Sequence, residues 1–171
     1  TTNSYQFKFG YVGNYKVFRR SLIKKLDLLS LAKEGHLTLT GKDWISGGWP
    51  NSYPYVTLPI LMPAFQRSKY QLHFADYKWI PMQSLTPRII QSLHSQRPVL
   101  FHESQKEATP DLVLDEWVFT NKPNLFYLAK KWDKNYNQLL QKQWDFFSWY
   151  FKGTPEETVT KLLKEEGYAT K

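Results

Sequence analysis

The residues most suggestive of chemistry lie in the stretch EATPDLVLDEWVF, at 107–119. One metal-dependent nuclease core places an Asp directly after a Pro, then a second acid, one residue and a Lys on the next strand. The two carboxylates hold a divalent metal, and the Lys orients the attacking water. Asp111 has the first half of this pattern, but Glu116 is followed by Trp117 and Val118 and no Lys. The stretch is therefore a half-motif of low specificity.

A structural interpretation competes with the catalytic one. Thr109 can cap a helix, Pro110 suits the first helical position, and Asp111 then stands in the first turn, where a negative charge is favourable. The same opening recurs in GTPEETVTKLLKEEG, where Thr154 and Pro155 begin a predicted C-terminal helix. The sequence therefore favours a capped acidic helix after position 109.

Acidic side chains recur at four-residue intervals around the half-motif, at Glu103, Glu107, Asp111 and Asp115. On one continuous helix they would share a face and could bind a cation, but Pro110 opposes such a helix. An acidic surface that meets a basic neighbour is the favoured interpretation. The weak catalytic candidates are Asp111, Glu116 and Glu103. No metal site or cofactor is predicted, except a divalent cation such as Mg²⁺ if the chain is a nuclease.

The positive charge is concentrated in two segments. The net charge is +8, and residues 16–34 and 122–152 each hold six Lys or Arg against two acids, so the remainder sums to zero. Such a distribution indicates acidic partners. The predicted contact residues for phosphate or an acidic partner are Lys16, Arg19, Arg20, Lys24, Lys25, Lys130, Lys131 and Lys134.

Aromatic residues make up 17% of the chain, with seven Trp, eleven Tyr and eleven Phe. The run WDFFSWYF at 144–151 has six aromatics in eight residues, which would surround a helix. One face can enter a core, and the others predict a partner. The predicted aromatic contacts are Trp132, Tyr136, Trp144 and Trp149.

The hydrophobic pattern predicts an α+β fold of a single domain over 1–171, mostly helical at both ends, with a small Pro-interrupted extended or β region in the middle. An extended N-terminal arm is expected at 1–14. Helical periodicity covers 15–33 and a run of over six turns from Asn124 to Gly153. Thr86-Pro87 predicts the start of a short helix over 86–93, because Thr can cap a helix and Pro suits the first helical position. Alternation predicts strands at 36–40 and 69–80, and four prolines in 49–65 argue against a helix there.

No recognisable catalytic apparatus emerges, so the sequence favours a non-enzymatic, basic, aromatic-rich accessory subunit of a larger assembly, such as a ribonucleoprotein or a mitochondrial respiratory complex. The partners would be other protein subunits or RNA, with an anionic membrane surface as a weaker option. The alternatives are a metal-dependent nuclease using Asp111 and a nearby Glu, and a stand-alone nucleic-acid-binding protein.

No apolar run approaches the length of a transmembrane helix. The start at Thr1 fits either removal of a targeting peptide or a shortened chain. A mitochondrial location is expected from the basic, aromatic-rich composition, with the cytoplasm as the alternative.

Overall fold

The structure is a computed structural model that describes residues 4–15, 19–55, 58–75, 85–154 and the single positions 157, 161 and 165; the side chains of 19–21 and 58–60 are also outside this description. The strands are β1 Phe7–Val12, β2 Leu37–Thr40, β3 Ser52–Tyr53, β4 Ser68–His73, β5 Val99–His102 and β6 Val118–Phe119. The helices are α1 Arg19–Lys25, α2 Leu28–Lys33, α3 Leu58–Gln66, α4 Arg88–His94, α5 Glu103–Ala108, α6 Lys122–Asp133 and α7 Tyr136–Tyr150, with a 3-10 turn at Asp115–Trp117.

The described strands form one parallel sheet in the order β3-β2-β1-β4-β5-β6. Parallel neighbours need crossover connections, and the helices of these crossovers cover both faces of the sheet. The result is a doubly wound α/β fold of the Rossmann type. The predicted α+β fold with a small extended middle is therefore wrong. Strands that are buried on both faces do not alternate between apolar and polar residues, so the hydrophobic pattern of the sequence did not indicate a large parallel sheet.

The central strand β1 lies within the segment predicted as an N-terminal arm. Phe9 stands opposite Leu37 on one side and Tyr70 on the other, so β1 pairs with β2 and β4 at once. Gly10 has no room for a side chain, because a Cβ there would meet the side chains of Ser68 and Gln71. The glycine that suggested an irregular segment is thus required by close packing inside the sheet.

Two predicted helices differ in the structure. The helix at 15–33 is divided into α1 and α2 at Asp27, whose φ of 52° lies in the left-handed region. The prediction of no helix in 49–65 is wrong, because α3 includes Pro59 and Pro63. Pro59 is the second helical residue, where the backbone N–H has no partner within the helix, so a proline there costs no hydrogen bond. Only Pro63 removes a hydrogen bond from the helix. Burial offsets that loss, through Leu61, Met62 and Phe65.

Other elements are confirmed. Strand β2 lies within the predicted 36–40, and α4 overlaps the predicted 86–93 region and ends one residue beyond it. Strand β4 covers the first part of the predicted 69–80 strand, and 76–80 lie outside the described residues. Most of the C-terminal helix at 154–167 also lies outside them, although Thr154 Oγ1 accepts the Glu157 N–H at 3.1 Å, as a cap would.

The long run from Asn124 is two helices, because the backbone of Asn135 is not helical. This break lets the chain pass around the amino edge of the sheet, from the face of α2 and α6 to the face of α4 and α7. At the turn, Asp133 accepts hydrogen bonds from Lys8 at 2.8 Å and from Tyr70 at 3.0 Å, and it pairs with Lys69 at 2.7 Å. Burial opposes the ionisation of Asp133, but these three partners outweigh it and keep the pKa of Asp133 below its usual range.

Helix α7 is attached to β5 by a side-chain amide. Gln143 is fully buried; its Nε2 donates to the Val99 carbonyl and its Oε1 accepts the Val99 N–H, both at 2.8 Å. Beside it, Phe147 packs against Phe101 and Trp117. Much of the aromatic run at 144–151 therefore enters this chain's own core.

None of the helices within the described ranges is long and apolar enough to cross a bilayer, which confirms that expectation for this part of the chain.

Replacement of Gln143 by Leu should lower the free energy of unfolding by about 2–4 kcal/mol, because it leaves the buried N–H and carbonyl of Val99 without partners. Urea denaturation measures the loss. The matched control is Gln141→Leu on the exposed side of α7, for which a change below about 0.5 kcal/mol is expected. Equal losses in the two variants would contradict the role of the Gln143 amide.

Replacement of Asp133 by Asn should cost about 1–3 kcal/mol near neutral pH, because two lysines lose their shared counter-charge. The pKa of Asp133 is lowered in the folded state, so its stabilisation is present above the unfolded pKa of about 3.9 and is lost as the pH falls through the folded pKa. The stability gap between wild type and variant should thus hold above pH ~5 and shrink in acid. Asp145→Asn, on exposed α7 surface, is the control; a gap independent of pH down to about 2 would refute this explanation.

Candidate functional site

The β1/β4 crevice is the position at the carboxyl edge of the sheet, between the ends of β1 and β4, where the chain leaves the two neighbouring strands in opposite directions. After β1, Gly13 donates to the Thr40 carbonyl at 2.8 Å and Tyr15 to the Lys42 carbonyl at 3.0 Å, which draws this loop towards β2. After β4, the Ala75 N–H donates to Ser104 Oγ at 3.3 Å, which draws that loop towards β5. In open parallel sheets, ligands bind at such a topological switch point.

The wall on the β1 side is built by close backbone contact. Gly41 has a φ of 152°, and a Cβ there would collide with the Gly13 carbonyl. That carbonyl accepts the Trp44 indole N–H at 2.6 Å, and Asn14 Oδ1 accepts the Lys42 N–H at 2.9 Å. The loop after β1 is therefore fixed by groups that belong to the loop after β2.

A row of rings follows the carboxyl edge across five strands. Each member contacts the next with centroids 5.2–6.0 Å apart, in the order Trp49, Trp44, Tyr11, Phe74, Phe119. Tilted and edge-to-face contacts of this kind stabilise the packing beyond the area they bury. All of these rings except Trp49 are buried, so the row forms an apolar layer beneath the crevice on the α1 side.

Arg88, the first residue of α4, brings a positive charge to the crevice. It borders a small cavity together with Val12 and His73, the last residues of β1 and β4. Its Nη1 donates to Gln91 Oε1 at 3.0 Å, and within the described ranges no carboxylate forms an ion pair with it. Burial lowers the pKa of the Arg88 guanidinium, while the phenols of Tyr55 and Tyr11 oppose that shift. The group is still a cation at neutral pH and can accept an anionic ligand.

His102 ends β5 at the same edge and is almost fully buried. Its Nδ1 accepts the Ser104 N–H at 3.2 Å and lies 2.9 Å from Ser104 Oγ, so the neutral ring carries its proton on Nε2. Nε2 is 3.8 Å from the Glu103 carboxylate. Burial lowers the pKa of the His102 imidazole, and Glu103 opposes this only in part. The ring is therefore neutral at pH 7 and positions Ser104 beside Ala75.

The three weak catalytic candidates lie apart from one another. Asp111 is exposed in a turn after α5, and Glu116 pairs with Lys142 at 3.5 Å. Glu103 lies at the start of α5, 3.9 Å from Lys25. Across the described ranges, no three His, Asp or Glu side chains converge in a way that could hold a metal. The predicted helix at Thr109 is also absent, since Thr109 instead ends α5.

The predicted basic contacts occupy several places. Lys16 lies outside the described residues, as do the side chains of Arg19 and Arg20, while Lys24 and Lys25 are exposed on α1. The remaining three are exposed near the end of α6, at the amino edge and away from the crevice: Lys130, Lys131 and Lys134.

The predicted aromatic contacts divide into internal and surface residues. Trp132 is buried and donates its indole N–H to the Glu116 carbonyl at 3.0 Å. Tyr136 donates to backbone carbonyls at the amino edge, and burial raises its pKa to about 12. Trp144 is half-buried, and Trp149 is 73% exposed.

Sequence reasoning did not identify Arg88, Tyr11 or the loop after β1, which contains Gly13, as parts of a site. The one available signal was Thr86-Pro87, which predicts a helix start immediately before Arg88.

Solved structures with the same fold include glycosyltransferases. T4 phage beta-glucosyltransferase matches with a TM-score of 0.61 at 12% identity, over 96% of this chain and 52% of its own. A variant of the T4 phage enzyme in complex with UDP-glucose matches with a TM-score of 0.66 at 12% identity, over 96% and 49%. TarM matches with a TM-score of 0.51 at 16% identity, over 96% and 35%. The chain therefore spans about half the length of the first two.

No protein-family model and no curated protein sequence matches the chain. The structural similarities show a Rossmann-like fold of the kind found in GT-B glycosyltransferases. They overturn the prediction of a non-enzymatic accessory subunit and do not support a nuclease, nucleic-acid binding or a mitochondrial complex.

The depressed pKa of His102 predicts a loss of stability in mild acid. The unfolded chain takes up a proton near pH 6.5 while the folded ring does not, so stability falls as the pH drops below about 6.5 and until the folded pKa is reached. His102→Asn should lose less stability between pH 7.5 and 5.5 than wild type, as measured by urea denaturation. His36→Asn, at a partly exposed histidine, is the control. An NMR titration midpoint for His102 at or above about 6.5 would contradict the prediction.

Proposed function

We propose that this chain is a Rossmann-type domain of a glycosyltransferase, and that the β1/β4 crevice binds a sugar nucleotide. The observation that carries the proposal is Arg88, a half-buried cation at the switch point without an acidic partner among the described residues. The fold similarity to the T4 phage enzyme bound to UDP-glucose supports the same ligand class.

The crevice suits the two chemical parts of such a ligand. A diphosphate needs a cation and N–H donors, and a guanidinium offers several donors in a fixed plane. The buried rings of Tyr11 and Trp44, in edge-to-face contact at 5.8 Å, make the α1 side of the crevice apolar, as the neutral part of such a ligand requires. Arg88 and Tyr11 approach the ligand from the two faces of the sheet.

Glycosyl transfer also explains why an unpaired cation is useful there. The bond between the sugar carbon and the diphosphate oxygen breaks, and negative charge accumulates on the departing diphosphate. A fixed positive group beside that oxygen stabilises the charge without reorganisation. Within this proposal, Arg88 holds the diphosphate and stabilises it as the leaving group.

The acceptor and any catalytic base are not assigned to this chain. The chain spans about half of the length of the first two glycosyltransferases that it matches. We propose that the acceptor approaches at the carboxyl edge of the sheet.

Replacement of Arg88 by Gln should weaken the binding of a sugar nucleotide by about 10–100-fold, because the diphosphate loses a charge-assisted contact. Titration calorimetry with UDP-glucose, ADP-glucose and GDP-mannose measures the affinities. Arg88→Lys should retain part of the affinity, since it keeps the charge and loses the planar geometry.

The matched control is Lys130→Gln, which removes the same charge at the amino edge. It should change affinity by less than about twofold, because that lysine is exposed and screened by salt. Equal weakening by Lys130→Gln and Arg88→Gln, or the absence of any binding by the folded wild-type chain, would refute the proposed site.

A further inference from the structure

A second cleft lies between α4 and α7, on the outer surface of the helical layer. Its volume is about 410 Å³, within the range of small-molecule sites. Arg88 begins α4 at the crevice, whereas the cleft lies at the other end of that helix. The described lining consists of Leu93, His94 and Gln96 at the end of α4, and of Asn137, Leu140, Gln141 and Trp144 on α7.

The lining combines an indole ring, three carboxamides and the imidazole of His94, and it contains no Lys, Arg, Asp or Glu from the described residues. Carboxamides donate and accept hydrogen bonds, as a ligand rich in hydroxyl groups requires. An indole face covers an apolar ring surface. The described lining has no permanent cation of the kind that a phosphate or carboxylate ligand would need. The lining therefore suits a neutral, polyhydroxylated ring.

Two contacts hold the lining in position. Trp144 packs nearly perpendicular to His94, with ring centroids 4.7 Å apart, so its indole is fixed against α4. Gln141 donates its Nε2 to Asp145 at 2.7 Å, which orients the amide and leaves Oε1 as an acceptor. Such prior ordering reduces the entropy that binding would otherwise cost.

Gln96 provides a second, independent observation. Its φ of 61° lies in the left-handed region, at the position after a helix that glycine adopts most easily. The N–H of Gln96 donates to the Leu93 carbonyl and the N–H of Arg97 to the Ser92 carbonyl, which is the usual glycine-type helix end. A glutamine there is less stable than glycine, and Gln96 is one of the residues that line the cleft.

We infer that the α4/α7 cleft binds a neutral saccharide, with Trp144 as the stacking platform and the amides of Gln96, Asn137 and Gln141 as hydroxyl partners. The site is separate from the β1/β4 crevice and does not require a nucleotide. It would hold a saccharide chain on the surface of the domain, whatever reaction the crevice supports.

The test uses the whole chain and neutral oligosaccharides of glucose, galactose, mannose and N-acetylglucosamine, with binding measured by NMR chemical-shift mapping. At least one should perturb the Trp144 indole N–H signal, and Trp144→Leu should weaken that binding by about tenfold or more. Trp149→Leu, at the exposed ring on the same helix, is the control and should leave the affinity unchanged.

Gln96→Gly separates binding from folding. It should leave the melting temperature unchanged or raise it, since glycine favours this backbone conformation, while it weakens saccharide binding severalfold. Shifts confined to the crevice, no response to any neutral saccharide, or equal affinity in Gln96→Gly and wild type would each overturn the inference. Sugar-nucleotide binding is scored separately through Arg88→Gln, so failure of one site is distinguishable from failure of the other.

Discussion

The fold depends on a single central strand that is hydrogen-bonded on both sides. Strand β1 pairs with β2 and with β4, and the chain proceeds outward in opposite directions from this pair of contacts. Gly10 makes the arrangement possible, because any side chain there would displace Ser68 and Gln71 of β4. The reversal at β1 creates the crevice, since the loop after β1 is bound to β2 and the loop after β4 to β5. The candidate site is thus a consequence of the sheet order.

Charge is distributed differently at the two edges of the sheet. At the amino edge, Lys8 and Lys69 share the carboxylate of Asp133, which neutralises them and secures the turn between α6 and α7. At the carboxyl edge, Arg88 has an amide and phenols nearby and no described carboxylate in ion-pair range. A partly buried cation without a counter-charge lowers the stability of the ligand-free domain, and a bound anion would supply the missing counter-charge. The proposed sugar-nucleotide site rests on this asymmetry more than on the net charge of +8.

Local elements were more predictable than their arrangement. The strand at β2, the helix at α4 and the cap at Thr154 followed from alternation and capping residues. The topology was missed because β1 contains a glycine required by a neighbour distant in sequence, and because burial overrides the propensity of the two prolines in α3. Of the candidate site, only the helix start before Arg88 could be predicted from the sequence. The strand ends converge only in the folded sheet, so local sequence patterns do not reveal the site that they form. The acidic half-motif around Asp111 is a local pattern, and in the described structure its acidic side chains do not converge on a common site.

The most direct test of the central claim is a crystal structure of the chain soaked with a sugar nucleotide such as UDP-glucose. Diphosphate density within hydrogen-bond distance of the Arg88 guanidinium, between the ends of β1 and β4, is the predicted result. Density at the exposed lysines of α6, at the amino edge of the sheet, would contradict the account. An empty crevice in crystals whose carboxyl sheet edge is free of lattice contacts would also contradict it.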